Sequence, residues 1–275
     1  VLAKIKGNIN PDDLSEDMVV KTLGSIQAIK TIQKENGSRG ANRYIISNNQ
    51  TALNVMETFA MLNLSGFEEG LNVDVAPLFE TIDDLEIAPQ VMRQLYQIPE
   101  YRTHVASRGD KQNIMLGFSD GTKDGGYLMA NWGIYKAKEE LSKVSREFGI
   151  KVIFFDGRGG PPARGGGKTS KFYASLGPQI ENQEIQLTIQ GQTISSNFGN
   201  LDSSQYNIEQ LLGAGITNKI FEDPKNGAMD DEDRTVMTDL AETSYEAYSN
   251  FKNHPMFIPY LERMSTLKYY GKANI

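Results

Sequence analysis

Apolar residues along the chain fall into two recurring patterns. Five short runs, Tyr44 to Ile46, Val73 to Phe79, Ile114 to Phe118, Val152 to Phe155 and Ile185 to Ile189, are nearly continuous in apolar side chains. Such runs fit strands whose two faces are both covered. Between most of them the apolar period lengthens to three or four. The clearest case runs from about Gly126 to Phe148: Ala130, Ile134, Ala137, Leu141, Val144 and Phe148 form one stripe, and Lys136, Lys138, Glu139, Glu140 and Lys143 the other face. Helices are predicted likewise over Asp12 to Gln33, Thr51 to Leu64, Ile87 to Gln97 and about Arg234 to Phe251. Strands that alternate with helices imply parallel pairing and an α/β fold, either barrel or doubly wound. Past about Ser195 the chain turns polar, and SSNFGNLDSSQYN predicts loops.

Composition narrows the chemistry. The 275 residues carry 28 Lys and Arg against 35 Asp and Glu, a net charge of −7 with no basic run, which argues against nucleic acid and anionic membrane as partners. No apolar run approaches the ~18 residues of a spanning helix, and VLAKIKGNIN lacks a signal-peptide core, so a soluble, cytoplasmic protein is expected. The start at Val1 and the ending YYGKANI suggest a piece of something longer. Without cysteine, thiolate sites are excluded, and with only His104 and His254, far apart in sequence, a multi-histidine metal centre is hard to assemble, leaving carboxylates, lysines and arginines.

The most conspicuous motif is FFDGRGGPPARGGGKT, Phe154 to Thr169, a glycine loop directly after an apolar run. Its Gly-Lys-Thr ending resembles a Walker loop, but Pro162 stands where the first glycine should be and Pro161 precedes it. Two prolines remove two amide donors from the phosphate cradle, which argues against a nucleotide-binding module. Arg158 and Arg164, flanked by glycines, offer guanidinium forks for phosphate or carboxylate instead; the alternative is a flexible loop with solvated arginines.

Two further strand ends carry polar residues. Glu80 follows the second run, with Asp83 and Asp84 soon after; Asp120, Lys123 and Asp124 occupy a glycine-punctuated loop after the third. If the strands are parallel, these loops and the Arg158 loop share one face. Glu80 and Asp120 then supply two hard oxygen ligands for Mg²⁺ or Mn²⁺, with an anionic, phosphorylated substrate nearby. Asp83, Asp84 and Asp124 read more simply as N-cap or first-turn acids.

At these residues the chain resembles phosphoenolpyruvate carboxylase. APLFETIDDL (Ala76 to Leu85), GFSDGTKDGGY (Gly117 to Tyr127), FFDGRGGPPARGGG (Phe154 to Gly167) and QGQTISSNFG (Gln190 to Gly199) are similar to signature segments of that family, in the family's order. The resemblance implies condensation of phosphoenolpyruvate with bicarbonate to oxaloacetate and phosphate, through carboxyphosphate and the enolate of pyruvate. It also implies Mg²⁺ or Mn²⁺, no biotin, a cytoplasmic homotetramer and a helix-rich, eight-stranded TIM-type barrel. By position it makes Glu80 and Asp120 metal ligands and sets Lys123 and Arg158 beside the reacting phosphate and bicarbonate. Arg164 falls on a mobile glycine loop and is also a contact for aspartate or malate as feedback effectors.

Asp156 departs from the histidine common in the family, Pro161-Pro162-Ala163 from a more flexible spacing, and Gln192 and Ile189 from acids. The family's upstream histidine segment, later arginine segments and tail are not found. The expectation is one partial domain over 1–275, an inactive fragment of a partial (β/α) barrel. Residues 40–200 form its strand-helix core and 201–275 a loop-rich and helical extension. The alternatives are another divalent-metal enolate or phosphate enzyme and a non-catalytic anion- or effector-binding piece.

Overall fold

A computed structural model describes residues 1–67, 71–220, 229–265 and 269. Five strands, β1 (Arg43–Ile46), β2 (Asp74–Phe79), β3 (Lys111–Leu116), β4 (Lys151–Gly159) and β5 (Ile185–Ile189), form one sheet in the order of the chain. All four pairings are parallel; β3 and β4 match over six residues, from Lys111 with Lys151 to Leu116 with Asp156. A doubly wound sheet reverses its strand order at a switch point. This one does not, and it curls into half of an α/β barrel.

Helix α1 (Asp17–Asn36) precedes the sheet and α2 (Ala52–Asn63) joins β1 to β2. Helices α3 (Ile82–Tyr96) and α4 (Pro99–Ser107) lead to β3, α5 (Phe118–Gly125) and α6 (Tyr127–Glu147) to β4, and α7 (Thr169–Ala174) to β5. Then come α8 (Gly191–Phe198), α9 (Leu201–Ile220), α10 (Asp231–Lys252) and α11 (Phe257–Met264). The polar stretch after Ser195, expected as loop, is therefore largely helical. Asn200 shows why: its side chain accepts the Ser203 amide at 2.9 Å, so a residue that reads as a turn former is bonding the start of α9.

Alternate strand residues and the inner helix stripes meet in one core. Val75, Phe79, Ile114, Leu116, Val152 and Phe154 from the sheet pack with Leu85, Val91 and Leu95 of α3 and Ile134, Leu141 and Val144 of α6. A smaller cluster joins Met129 and Trp132 of α6 to Ala241 of α10. There Arg234 donates both terminal nitrogens to Glu139 at 2.8 Å each, and Trp132 Nε1 lies 3.2 Å from Thr238 Oγ1. So α10 is fastened to the outside of the helix that leads into β4.

Candidate active site

The strand ends meet in sequence. Asn48, after β1, has a left-handed backbone (φ 52°) that turns its amide onto Glu80 Oε1 at 2.8 Å. Gly117, after β3, donates its amide to the Phe79 carbonyl at 2.9 Å. A Cβ on Gly117 would sit 2.8 Å from Glu80 Cβ, so only glycine lets α5 begin this close to β2. Asp120 follows three residues later in the first turn of α5. Glu80 and Asp120 thus rise from adjacent strands on one face. Asp120 pairs with Lys123 at 2.5 Å.

The segment expected as a glycine-punctuated loop, Gly117 to Tyr127, is instead mostly α5. Its first turn holds Asp120 and its last turn Lys123. Helix α10 buttresses it: Tyr248 donates to the Lys123 carbonyl at 3.0 Å and Lys252 to that of Asp124 at 2.7 Å. Asp84 is the first-turn acid foreseen, in a capping box with Thr81. Asp124 is not: it lies near the end of α5, and its carboxylate accepts the Ile82 amide at 3.0 Å, capping α3 from a neighbouring helix.

Arg158, near the end of β4, is buried, with its guanidinium carbon 4.3 Å from the Phe172 ring centre and 5.8 Å from that of Phe118. It donates to the Gly167 carbonyl at 3.4 Å, and its Nε is buried without a partner. Burial pulls its pKa below the ordinary value, opposed by the neighbouring Tyr127, Tyr173 and Asp156. A largely desolvated fork of this kind favours an anionic ligand.

The glycine loop bonds to itself. Arg164 and Gly166 donate to the Pro161 carbonyl at 2.9 and 3.0 Å, Gly165 to Pro162 at 3.0 Å and Gly167 to Gly160 at 3.1 Å. Those amides are thus not arranged as a phosphate cradle, which removes the Walker reading. The loop packs on α5, where Gly165 (φ 74°) faces the Phe118 carbonyl and Tyr127 donates to the Gly166 carbonyl at 3.3 Å. That brings exposed Arg164 to Ser119, Nε to Oγ 3.2 Å, next to Asp120. At the last strand end, the Gln190 amide lies against Gly160.

Lys138 corrects the sequence reading. Placed there on the polar face of α6, it is 1% exposed, and its Nζ lies 2.6 Å from Asp156, which is fully buried. Tyr173 donates to the same Asp156 oxygen at 2.6 Å. The departure at Asp156 thus has its own buried counter-ion. The signal was present, since Lys138 stands four residues after Ile134 and three before Leu141 on the core stripe.

Among the described residues no three His, Cys, Asp or Glu side chains gather as a metal cluster. Two carboxylates at adjacent strand ends are nevertheless of the hard-oxygen type that Mg²⁺ or Mn²⁺ takes beside water and substrate oxygens.

The family model for phosphoenolpyruvate carboxylase matches residues 4–275. The chain belongs to the phosphoenolpyruvate carboxylase family. It is similar to the phosphoenolpyruvate carboxylases of Corynebacterium diphtheriae (34% identical over 98% of this chain), Mycobacterium leprae (34% over 87%) and Mycobacterium avium (32% over 96%). The matches cover 29%, 26% and 29% of those relatives, so the chain spans under a third of the carboxylases it resembles. Among the described residues no helix is long and apolar enough to cross a membrane.

Proposed function

We propose that this half-barrel carries the metal- and phosphate-binding wall of a phosphoenolpyruvate carboxylase, which forms oxaloacetate and phosphate from phosphoenolpyruvate and bicarbonate. The observation that supports this reading is the convergence of Glu80, Asp120 and Arg158 at the ends of three adjacent parallel strands, where α/β barrels place their chemistry. Glu80 and Asp120 would hold Mg²⁺ or Mn²⁺. When bound, the cation supplies positive charge opposite the enol oxygen of the substrate.

The protein's own groups do the rest. Arg158, stacked and dehydrated, pairs with phosphate oxygens as they shift from phosphoenolpyruvate to bicarbonate. Lys123, at the far end of the same short helix as Asp120, adds charge for the bicarbonate and the transferring phosphate. The glycine loop, lying on α5, screens the labile carboxyphosphate from water and brings Arg164 to the phosphate. Arg164 is exposed, with its Nε on Ser119, and its terminal nitrogens fit the carboxylate of aspartate or malate as effector.

The five strand ends form only part of a ring, so the chain alone binds substrate without turning over, and a cytoplasmic tetramer of the longer protein is the active form. The test is Mn²⁺ and phosphoenolpyruvate binding by calorimetry. Glu80→Gln and Asp120→Asn are expected to abolish Mn²⁺ binding, and Arg158→Gln to weaken phosphoenolpyruvate binding while sparing Mn²⁺. Unchanged Mn²⁺ affinity in both carboxylate variants would overturn the metal assignment, and oxaloacetate made by the chain alone would overturn its inactivity.

A further inference from the structure

Behind Arg158 lies a buried polar group drawn from three elements. Asp156 of β4 is fully buried; one of its oxygens receives both Lys138 Nζ of α6 and the Tyr173 hydroxyl of α7, each at 2.6 Å. Its other oxygen is buried and unbonded. The Phe172 ring lies 5.2 Å from the Lys138 ammonium and 4.3 Å from the Arg158 guanidinium, measured to its centre. Phe172 and Phe118 stack edge to face at 5.5 Å, and Arg158 lies over both.

The consequence is geometric. Among the described residues no carboxylate is bonded to the Arg158 guanidinium; beside its bond to the Gly167 carbonyl, its place is set by rings, and the nearer ring belongs to α7, just past the glycine loop. The Tyr173 to Asp156 bond ties α7 to β4, and the Lys138 ammonium is bonded to the same carboxylate in a dry interior. The two ends of the loop, Asp156 and Tyr173, are therefore joined through one carboxylate.

We propose that Lys138 and Tyr173 are positioning residues for Arg158: through Asp156 they lock α7, and with it the Phe172 ring, at the spot that aims the Arg158 fork at the barrel mouth. This rests on the reading of Arg158 as a phosphate-binding residue. A displaced ring lets the guanidinium take other rotamers, and affinity for the anion falls while metal affinity does not.

The experiment is a double-mutant cycle on the chain, with phosphoenolpyruvate and Mn²⁺ as probes in calorimetry. Tyr173→Phe keeps the ring and removes the hydroxyl. It is expected to leave Mn²⁺ affinity and the circular dichroism spectrum unchanged and to weaken phosphoenolpyruvate roughly five- to tenfold. In the Arg158→Gln background the same substitution is expected to have no further effect on phosphoenolpyruvate, because Tyr173 acts only through Arg158. A residue that merely supports the fold would weaken binding equally in both backgrounds. Should Tyr173→Phe be silent, or additive with Arg158→Gln, the positioning role is overturned and Arg158 keeps its assignment. If phosphoenolpyruvate affinity does not depend on Arg158 at all, the site reading fails, and the positioning role with it. Lys138→Met with Asp156→Asn serves as a second entry to the cycle and must show the same dependence on Arg158.

Discussion

Lys138→Met isolates the energetics of the buried pair. Methionine matches the lysine stem in length and apolar character, so little packing is lost, while Asp156 loses the ammonium bonded to it. The carboxylate is fully buried, and among the described residues one oxygen already lacks a partner and the Tyr173 hydroxyl is the one bond left on the other. Breaking a buried pair from one side costs about 3–5 kcal/mol. At about 2–3 °C per kcal/mol for a chain of this size, the thermal midpoint is expected to fall by roughly 6–15 °C. Adding Asp156→Asn removes the stranded charge, keeps an acceptor for Tyr173 and returns stability to within about 1 kcal/mol of the parent, because a whole pair replaced by neutral groups is nearly neutral. Differential scanning calorimetry of the parent and the two variants reads both effects. A fall of less than about 3 °C for Lys138→Met, or a double variant no better than the single, would refute the buried-pair argument.

Two more outcomes are expected. Burial draws the His104 imidazole down to about 4, opposed by Asp74 and assisted by Arg108. The unfolded chain therefore takes up its proton first, near pH 6.5, and stability holds above that pH and declines as pH falls towards 4, by about 3 kcal/mol in total. His104→Leu is expected to remove most of this decline in urea titrations at pH 7 and 4.5, and an equal decline in the variant would refute it. A Cβ on Gly165 would overlap the Phe118 carbonyl of α5, so Gly165→Ala is expected to lift the loop off α5 and speed trypsin cleavage after exposed Arg164 about tenfold. An unchanged cleavage rate would refute the packed loop.

The five strands were readable because both faces of a parallel sheet are covered, which leaves uninterrupted apolar runs. Their ends were less so: Phe118, apolar and next to β3, opens α5, and β4 continues through polar Asp156 and Arg158 to Gly159 because β5 pairs with it that far. Helix α3 begins at Ile82 rather than Ile87, where the Thr81 and Asp84 capping box starts it, and it passes through Pro89 without ending. Helix α5 escaped notice because glycines lower helix propensity, yet Gly117, Gly121 and Gly125 are the residues that let it lie against Glu80, Ala130 and Ile82. The candidate site residues were named from sequence, while the Lys138, Asp156 and Tyr173 cluster was not. A buried charge is invisible to hydropathy patterning unless a polar residue is asked why it sits on an apolar stripe.

The paired prolines of the glycine loop have a mechanical consequence. Pro161 leads into a short 3-10 turn over Pro162–Arg164, and the amides after it close back on Pro161, Pro162 and Gly160. Movement of the loop breaks its contacts with α5 but none of these internal bonds, so the segment travels as a preformed tile. Rotation is left to two hinges, Gly159 and Gly160 on one side and Gly167, with its φ of 129°, on the other. Seating such a tile orders only the hinges, because the prolines have already removed most of the disorder a looser loop would lose on closing.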